Sequence, residues 1–407
     1  MGVGLRDYEP IVGSAVLEEL AILSERVRAR RHLHVNSTRV GGGVAEILQR
    51  AIPLLQELGL EARWEVIEGS PEFFEVTKSF HNALQGQPVP ISREMLDTYV
   101  ICNYENSLRV NLDADVVYIH DPQPAAMVRG RREGQKWVWR CHIDLSHPQM
   151  EPWEYLRGYV ERYDASIFSM TKFAQNLRIP EFIMPPSIDP LSDKNRDLDP
   201  QEVDAILDQL NIPRDKPLVT QISRFDPFKD PIGVIRAFRL ARQHVDCRLV
   251  LAGGGATDDP EGARVLARVL EEAAGERDIH ILDLPPQSDL AINALQRAST
   301  VILQKSLREG FGLTVTEAMW KGKPVIGGAA GGITLQVQEG FTGYLVHSVE
   351  GAAYRIRYLL SRPELRERLG QNAREFVRRN FLITRNIRDY LLVILALEHP
   401  GHAQFEI

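Results

Sequence analysis

Cysteine is scarce in this sequence. Its three cysteines, Cys102, Cys141 and Cys247, lie far apart along a chain of 407 residues. This wide spacing argues against a disulfide framework and against a cysteine-based zinc site. It fits a reducing environment, and we therefore expect the protein to work in the cytoplasm.

The sequence also lacks an excess of basic residues and a long apolar run. Its formal net charge is −7, so nothing indicates a surface for nucleic acid or for an anionic membrane. The apolar run YLLVILAL near the C-terminus is far shorter than the roughly 20 residues of a membrane-spanning helix. The opening MGVGLRDYEP does not have the charged and apolar regions of a secretion signal. We therefore expect neither nucleic acid nor a membrane as a partner.

Short β-rich runs alternate with longer helical patterns, which is typical of α/β proteins with parallel sheets. The chain also exceeds the length that one hydrophobic core usually serves. Strands are expected at residues 32–35, 62–67, 115–120, 136–141 and 165–170, and then at 217–223, 247–253, 279–284, 300–304, 323–328 and 342–346. A proline-rich, charged stretch near residues 186–200 separates the two groups. We predict two doubly wound domains, 1–188 and 189–380, and a C-terminal segment, 381–407, whose helix (378–397) packs back across the domain junction.

The segment EGFGLTVTEA, residues 309–318, is the most informative motif. It lies where an apolar strand run passes into a helix, so Gly310 and Gly312 would let the backbone approach a ligand closely. The first N–H groups of that helix have no partner within it, which suits a phosphate. Glu309 in the loop and Glu317 on the helix could bind hydroxyl groups on either side of the phosphate. A nucleotide sugar has that layout, although an ordinary surface loop followed by a helix gives the same pattern.

Polar residues follow several of the predicted strands, at the positions where open parallel sheets bind ligands. They are the triplet Gly41, Gly42 and Gly43, the pairs His120 with Asp121 and His142 with Asp144, and the cations Arg224 and Lys229. Arg224 and Lys229 could clamp a diphosphate, because arginine offers a fork of donors and lysine a point charge. Each feature also has an ordinary explanation: a helix-capping turn, a hydrogen-bonded core histidine or a solvated loop charge.

Other catalytic motifs are absent or misplaced. Asp113 and Asp115 spell the D-x-D pattern with which some glycosyltransferases bind a metal ion, but they precede their strand and so belong at the amino end of the sheet. The sequence contains neither H-E-x-x-H nor G-x-x-x-x-G-K-[ST] nor G-x-S-x-G. We therefore expect no metal site, no P-loop and no serine-hydrolase elbow.

Taken together, the motifs resemble the retaining glycosyltransferases of family four. The resemblance rests on R-x4-K (Arg224, Lys229), E-x7-E (Glu309, Glu317), the glycine loop GGGVAE and the GGI turn. Within that family, the segments NSTRVGGGVAEIL, IHDPQPA, WRCHIDLS, MPPSIDPLS and RFDPFK are similar to those of trehalose glycosyltransferring synthases. The resemblance extends over most of the chain and implies a GT-B fold, in which two Rossmann-like domains face each other across a cleft.

The resemblance also implies an activity. Glucose would pass reversibly from a nucleoside diphosphate glucose to free glucose, giving trehalose with retention of configuration. The nucleotide sugar would be a co-substrate, with no tightly bound cofactor and no required metal ion, and relatives imply a homodimer. The nucleotide stays open among ADP, UDP and GDP. A trehalose phosphorylase, a nucleotide-sugar epimerase and a non-catalytic sugar or nucleotide sensor also stay open.

The site residues are carried over from the same resemblance. The catalytic residues would be Arg224, Lys229, Glu309, His142 and Asp121, with the two cations stabilising negative charge on the departing diphosphate. The donor would be bound by Gly42, Gly43, Gly310, Phe311, Gly312, Leu313 and Glu317. The acceptor would be bound by Asn36, Asp144 and Gly332.

Overall fold

The computed structural model of the protein describes residues 3–28, 30–40, 42–254 and 260–399. The chain divides into two compact units. Unit 1 comprises Met1–Ser187 and Ile383–Ile407, and unit 2 comprises Ile188–Leu382. Gly41 of the predicted glycine loop and the last residues of the predicted C-terminal segment, 400–407, lie outside the described residues.

Strands and helices alternate along the described chain. The strands are β1 (Arg31–Asn36), β2 (Glu61–Val66), β3 (Val116–His120), β4 (Lys136–Cys141), β5 (Ala165–Phe168), β6 (Glu181–Ile183), β7 (Leu218–Ile222), β8 (Arg248–Gly253), β9 (Ile279–Asp283), β10 (Val301–Gln304), β11 (Val325–Gly328) and β12 (Gly343–Val346). The α-helices are α1 (Glu9–Val12), α2 (Ser14–Arg26), α3 (Gly43–Glu57), α4 (Pro71–Leu84), α5 (Arg93–Arg109), α6 (Met150–Val160), α7 (Pro200–Gln209), α8 (Pro231–Arg242), α9 (Pro260–Glu272), α10 (Asp289–Ala298), α11 (Leu313–Trp320), α12 (Ile333–Gln336), α13 (Val349–Leu360), α14 (Pro363–Asn380) and α15 (Ile383–Glu398). All the strands expected from the sequence are present. The additional strand is β6, whose three partly exposed residues form no apolar run.

Unit 1 is built on a parallel sheet with the strand order β2-β1-β3-β4-β5-β6. The chain moves outward from β1 to β2 and then returns to place β3 on the other side of β1. This reversal of strand order leaves a crevice at the carboxyl ends of β1 and β3, which is where sheets of this type bind ligands.

Unit 2 is built on a second parallel sheet, with the order β12-β11-β10-β7-β8-β9. Its strand order resembles that of doubly wound nucleotide-binding sheets, which grow in both directions from a central strand. Here the strand order reverses between β7 and β10.

Burial explains why these sequences form central strands. Every residue of β3, β7 and β8 is buried, and near-continuous apolar runs are typical of parallel strands that are covered on both faces. Helix starts are fixed by side chains: Asp230 accepts a hydrogen bond from Gly233 N at the start of α8, and Ser348 caps α13 in the same way.

In the part of the chain that is described, no helix has both the length and the apolar character needed to cross a membrane.

The C-terminal helical stretch requires a correction, because residues 378–397 do not form one helix. Helix α14 ends at Asn380 and α15 begins at Ile383. Between them, Phe381 O accepts a hydrogen bond from Ile188 N over 2.9 Å, and Leu382 forms a β-bridge with Ile188. Helix α15 then packs on α2 and α3 within unit 1.

Candidate active site

The strand-order reversal of unit 2 places three predicted catalytic residues on neighbouring loops. Arg224 and Lys229 follow β7, and Glu309 follows β10. Because β7 and β10 are parallel neighbours, their loops leave the same edge of the sheet. This is the edge at which such sheets bind ligands.

Lys229 and Glu309 form an ion pair between these two loops. Lys229 Nζ donates to Glu309 Oε2 over 2.6 Å, and Ser306 Oγ donates to the same oxygen over 3.1 Å. Glu309 is only 9% exposed, and an attraction between opposite charges is stronger there than in bulk water. The pair therefore presents a cation and a carboxylate together, as a ligand with both anionic and hydroxyl groups requires.

A second set of polar contacts fixes the two loops relative to each other. Gln221, which is buried in β7, accepts from Lys305 N over 3.1 Å and donates to Lys229 O over 2.9 Å. Lys305 Nζ also pairs with Asp230, the residue that caps α8. The position of Lys229 is thus set by its backbone as well as by Glu309.

The glycine loop brings the start of α11 to Glu309. Gly312 has a left-handed conformation, with φ 86° and ψ 67°, and a β-carbon there would lie 3.1 Å from Glu309 Cγ. Glycine therefore permits both the turn and the close approach. Gln336 holds the loop in place, because its Nε2 donates to Phe311 O over 2.6 Å and its Oε1 accepts from Thr316 over 2.6 Å.

Other residues of the motif have supporting positions. Gly332 N donates to Glu309 O over 3.2 Å, and a β-carbon at Gly332 would lie 2.5 Å from Phe311 Cα, so the GGI turn braces the loop. Phe311 itself is buried and packs edge-on against Phe381, with ring centroids 5.4 Å apart. Its side chain therefore serves the packing of the loop, and its backbone is the part that a ligand could meet.

Arg224 and Glu317 differ sharply in exposure. The Arg224 side chain is 56% exposed and lies 3.6 Å from Asp226, so it is free to turn towards an anionic ligand. Glu317 is only 2% exposed. Its carbonyl accepts from Lys321 Nζ over 3.3 Å, and burial lowers the pKa of Lys321.

In unit 1, Asp121 occupies a strained position directly after β3. Its φ of 66° is unusual for a residue other than glycine, and such strain is concentrated at functional sites. Asp121 Oδ1 accepts from His142 N over 2.7 Å, and Trp139 Nε1 donates to Asp121 O over 3.0 Å. Burial raises the pKa of the Asp121 carboxyl to about 7.

A row of three imidazoles crosses the ends of β1, β3 and β4. His34 Nδ1 lies 3.0 Å from His120 Nε2, and His120 Nδ1 lies 3.1 Å from His142 Nε2. Arg140 Nε donates to His142 Nε2 over 3.2 Å. Burial, reinforced by neighbouring positive charge, lowers the pKa of all three imidazoles well below the ordinary value.

The predicted acceptor and glycine-loop residues of unit 1 shape the loops after β1 and β4. Asn36 is 3% exposed, donates to Thr38 O over 2.7 Å and accepts from Trp64 Nε1 over 2.8 Å. Gly42 caps α3 with φ 87°, and Gly43 is the first residue of that helix. Asp144 accepts from the N–H two residues later, at position 146, over 2.9 Å.

The D-x-D carboxylates lie away from these loops. Arg31 donates to Asp113 over 2.7 Å and to Asp115 over 3.0 Å, at the amino end of the sheet of unit 1. Among the described residues, no three histidine, cysteine or acidic side chains come together as metal ligands would.

Sequence reasoning missed several residues that hold the site together. They are His34, Arg140, Gln221, Ser306 and Gln336. A polar residue inside an apolar strand run indicates a side chain that supports a site, and this pattern is visible for His34 in HLHV and for Gln221 in PLVTQIS. Gln336 carries no such signal, because its partner is a backbone carbonyl 25 positions away.

Comparison with known proteins agrees with these features. Residues 34–175 match the family model described as trehalose synthase, N-terminal domain, and residues 202–376 match that of glycosyl transferases group 1. The chain is 47% identical over 399 residues to a trehalose synthase from Pyrococcus horikoshii, with 97% of this chain and 96% of that protein covered. It is 40% identical to a trehalose synthase from Rubrobacter xylanophilus, with 97% of each covered. A trehalose phosphorylase from Pleurotus pulmonarius is 31% identical, with 84% of this chain and only 54% of that protein covered.

Solved structures are similar in fold. A sucrose-phosphate synthase from Thermosynechococcus elongatus has a TM-score of 0.71 at 19% identity, covering 91% of this chain and 99% of that one. A structure described as trehalose-6-phosphate from E. coli bound with UDP-2-fluoro glucose has a TM-score of 0.71 at 15% identity, with the same coverage. The predicted GT-B fold class, with two parallel-sheet α/β domains, is thereby confirmed.

Proposed function

We propose that this chain, which belongs to the trehalose synthase family of glycosyltransferases, makes trehalose by transferring glucose from a nucleoside diphosphate glucose to free glucose. The transfer is reversible and retains the α configuration of the donor. The observation that carries the proposal is the Lys229–Glu309 pair, held at 2.6 Å beside the start of α11. A cation, a carboxylate and the first N–H groups of a helix together match a sugar joined to a diphosphate.

In this proposal, the residues of unit 2 bind the donor. Arg224 and Lys229 contact the diphosphate, Glu309 accepts hydrogen bonds from glucose hydroxyls, and the backbone from Gly310 to Leu313 contacts phosphate. Glu317 binds the ribose, which requires its carboxylate to become accessible from its buried position. In unit 1, Gly42 and Gly43 approach the donor, His142 contacts the transferring glucose, and Asp121, Asn36 and Asp144 line the acceptor side. In unit 2, Gly332 also binds the acceptor.

Retention follows from attack on the face that the leaving group departs from. The bond between the anomeric carbon and the diphosphate oxygen breaks, a bond to the acceptor oxygen forms, and the departing diphosphate takes the acceptor's proton. Negative charge grows on the diphosphate during this step, so the two cations stabilise the transition state more than the ground state. No carboxylate nucleophile is needed, in contrast to two-step glycosidases.

The decisive experiment is incubation of the protein with glucose and a panel of ADP-, UDP- and GDP-glucose. We expect a non-reducing disaccharide whose two anomeric protons are both α by NMR, and release of the matching nucleoside diphosphate. Failure of every donor would overturn the proposal.

Trehalose phosphorolysis is the second candidate function, favoured by the 31% identity to a fungal trehalose phosphorylase. The two activities are separated by their cosubstrate. Trehalose breakdown that depends on a nucleoside diphosphate supports a synthase, whereas breakdown that depends on inorganic phosphate alone supports a phosphorylase. An epimerase would change the donor without added glucose, and a sensor would bind it without turnover.

We also propose that the site works without a bound metal ion, since positive charge at the diphosphate comes from Arg224 and Lys229. Activity should therefore survive dialysis against EDTA, measured as initial rate before and after addition of Mg²⁺. A loss of more than about tenfold that Mg²⁺ restores would show that the two cations are insufficient.

The remaining proposals concern assembly and location. We propose a cytoplasmic homodimer, and the three buried free cysteines are consistent with a reducing compartment. Light scattering coupled to size-exclusion chromatography measures the oligomeric state, and a mass near the 46.0 kDa of one chain would exclude the dimer.

A further inference from the structure

Arg140 is a large charged side chain in the interior of unit 1 that the proposed reaction leaves without a role. It is 1% exposed. Its Nη1 and Nη2 donate to Met184 Sδ and O over 2.8 and 3.3 Å, and its guanidinium lies 5.2 Å from the centre of the Tyr390 ring. The third guanidinium nitrogen, Nε, donates to His142 Nε2 over 3.2 Å.

This contact fixes where the proton of His142 resides. A guanidinium has donors and no acceptor, so the nitrogen that faces Arg140 Nε must offer a lone pair. His142 Nε2 is therefore unprotonated. Burial keeps the ring neutral, so its single proton must lie on Nδ1.

The same reasoning passes along the row of imidazoles. Arg140 Nε–H and His120 Nδ1–H share the one lone pair of His142 Nε2, since an unprotonated His120 Nδ1 at 3.1 Å would set two lone pairs against each other. His120 is also neutral, so its Nε2 accepts from His34 Nδ1 over 3.0 Å. One arginine contact thus determines the tautomers of three histidines.

We propose that Arg140, His120 and His34 are positioning residues that hold His142 as a neutral imidazole with its proton on Nδ1. In the described part of the chain, the ring contacts of His142 are made at Nε2, which leaves Nδ1–H to meet the substrate. His142 then acts as a hydrogen-bond donor to the transferring sugar and not as a proton acceptor. This inference rests on the proposed function for the identity of the ligand, but not for the tautomer.

The surroundings of the row contain few groups that could reverse this assignment. The titratable or charged groups that face it are Arg140 from β4, Asp121 from the loop after β3, Tyr118 from β3, His32 from β1 and Tyr390 from α15. Only Asp121 could favour an imidazolium, and its contact with His142 is to the backbone N–H. The ring itself meets the positive Arg140 and the neutral His120.

The first test is a long-range 15N–1H correlation spectrum, at pH 7.5, of the protein with 15N-labelled histidine rings. The signals of His142 are assigned by their disappearance in the His142→Gln variant. We expect a protonated-type Nδ1 and an unprotonated-type Nε2 for His142, and the same for His120 and His34. A proton on His142 Nε2, or on both nitrogens, overturns the inference. This spectrum requires no substrate, so it distinguishes failure of the inference from failure of the proposed function.

The second test uses variants of His120, which is not a substrate contact. His120→Asn keeps an N–H donor near the position of Nδ1, whereas His120→Leu removes it. We expect His120→Leu to lower kcat by about 10- to 100-fold with little change in donor KM, because orientation of a single donor is lost. His120→Asn should stay within about threefold of the parent rate.

The matched control is His32→Leu, since His32 is buried on the same strand as His34 but its ring forms no hydrogen bond with His120 or His142. Its rate should equal that of the parent. Equal losses in His120→Asn and His120→Leu, or full activity of His120→Leu, would overturn the positioning role, provided that circular dichroism shows both variants folded.

Discussion

Lys229 forms an ion pair with Glu309, so a diphosphate that binds as we propose competes with a carboxylate for the same ammonium group. Arg224 is more exposed, and its nearest carboxylate partner, Asp226, lies at 3.6 Å. Before substrate binds, Lys229 is therefore paired more closely with a carboxylate than Arg224 is. In the proposed reaction, both charges are needed most when the diphosphate leaves, because its negative charge grows then.

We predict that Arg224→Ala and Lys229→Ala each lower turnover by about 10²- to 10³-fold, while donor affinity falls much less. Steady-state kinetics and donor titration measure the two quantities separately. Arg236→Ala, which removes an exposed arginine of α8, is the control and should match the parent. An equal loss of donor binding at unchanged turnover would contradict the prediction.

A single carboxyl, that of Asp121, should make stability depend on pH. Its pKa is raised from 3.8 to about 7 in the folded protein, so the folded state binds a proton that the unfolded chain releases above about pH 4. The stability that this proton binding contributes is fully present below about pH 4 and is lost as the pH rises through about 7. The loss is on the order of 2–4 kcal/mol.

We predict that Asp121→Asn removes this part of the pH dependence, because the amide cannot ionise and its oxygen can still accept from His142 N. Urea unfolding at pH 5 and pH 8 gives the free energy of unfolding of both proteins. The parent should lose more stability than the variant between these pH values. Parallel pH profiles would mean that the Asp121 carboxyl titrates normally.

The positions of candidate site residues could be predicted from the sequence when the residues follow a strand and differ in polarity from it. Glu309, Lys229 and His142 follow their strands as expected, and their roles stay predictions. The residues that hold them are harder to predict, since Ser306, Gln336 and Arg140 act through contacts that only the fold creates.

Among the elements, the loop before α11 depends most on one backbone conformation. Gly312 combines a φ of +86° with a 3.1 Å approach of a β-carbon to Glu309, whereas Gly275 has a φ of +82° and open space where its β-carbon would lie. Alanine at either position strains the backbone by about 1 kcal/mol. Only at Gly312 does the added methyl group press on a proposed catalytic residue.

We predict that Gly312→Ala and Gly275→Ala lower the free energy of unfolding by similar amounts, about 1 kcal/mol, and that only Gly312→Ala loses activity. Thermal unfolding and initial rates measured on the same preparations separate the two effects. Equal activity of both variants would mean that the loop can shift away from Glu309 without consequence.

The strands were more predictable than the helix boundaries. Parallel strands that are covered on both faces require apolar runs, and those runs are visible in the sequence. The interruption between α14 and α15 was not visible, because both flanking segments have helical periodicity and the break is set by the hydrogen bond from Ile188 to Phe381. A contact between residues so far apart in sequence cannot be inferred from a local pattern.

At the scale of the whole molecule, unit 2 is continuous in sequence and unit 1 is not. Unit 2 has its own six-stranded sheet and its own buried core. We predict that a fragment of residues 188–382 folds alone, with a cooperative urea transition by circular dichroism and fluorescence.

A fragment of residues 1–187 lacks α15, whose buried face includes Ile387, Tyr390 and Leu391. It should unfold at lower urea concentration than the same unit in the full chain.

The return of α15 to unit 1 also has a consequence for synthesis on the ribosome. Because a chain emerges from its N-terminus, the first 187 residues leave the exit tunnel early but must wait for a helix that is translated after all of unit 2. The side chains that α15 covers stay accessible to chaperones throughout that interval. Unit 2 starts later in the sequence than unit 1, but it is thus the first unit whose chain is completely synthesised.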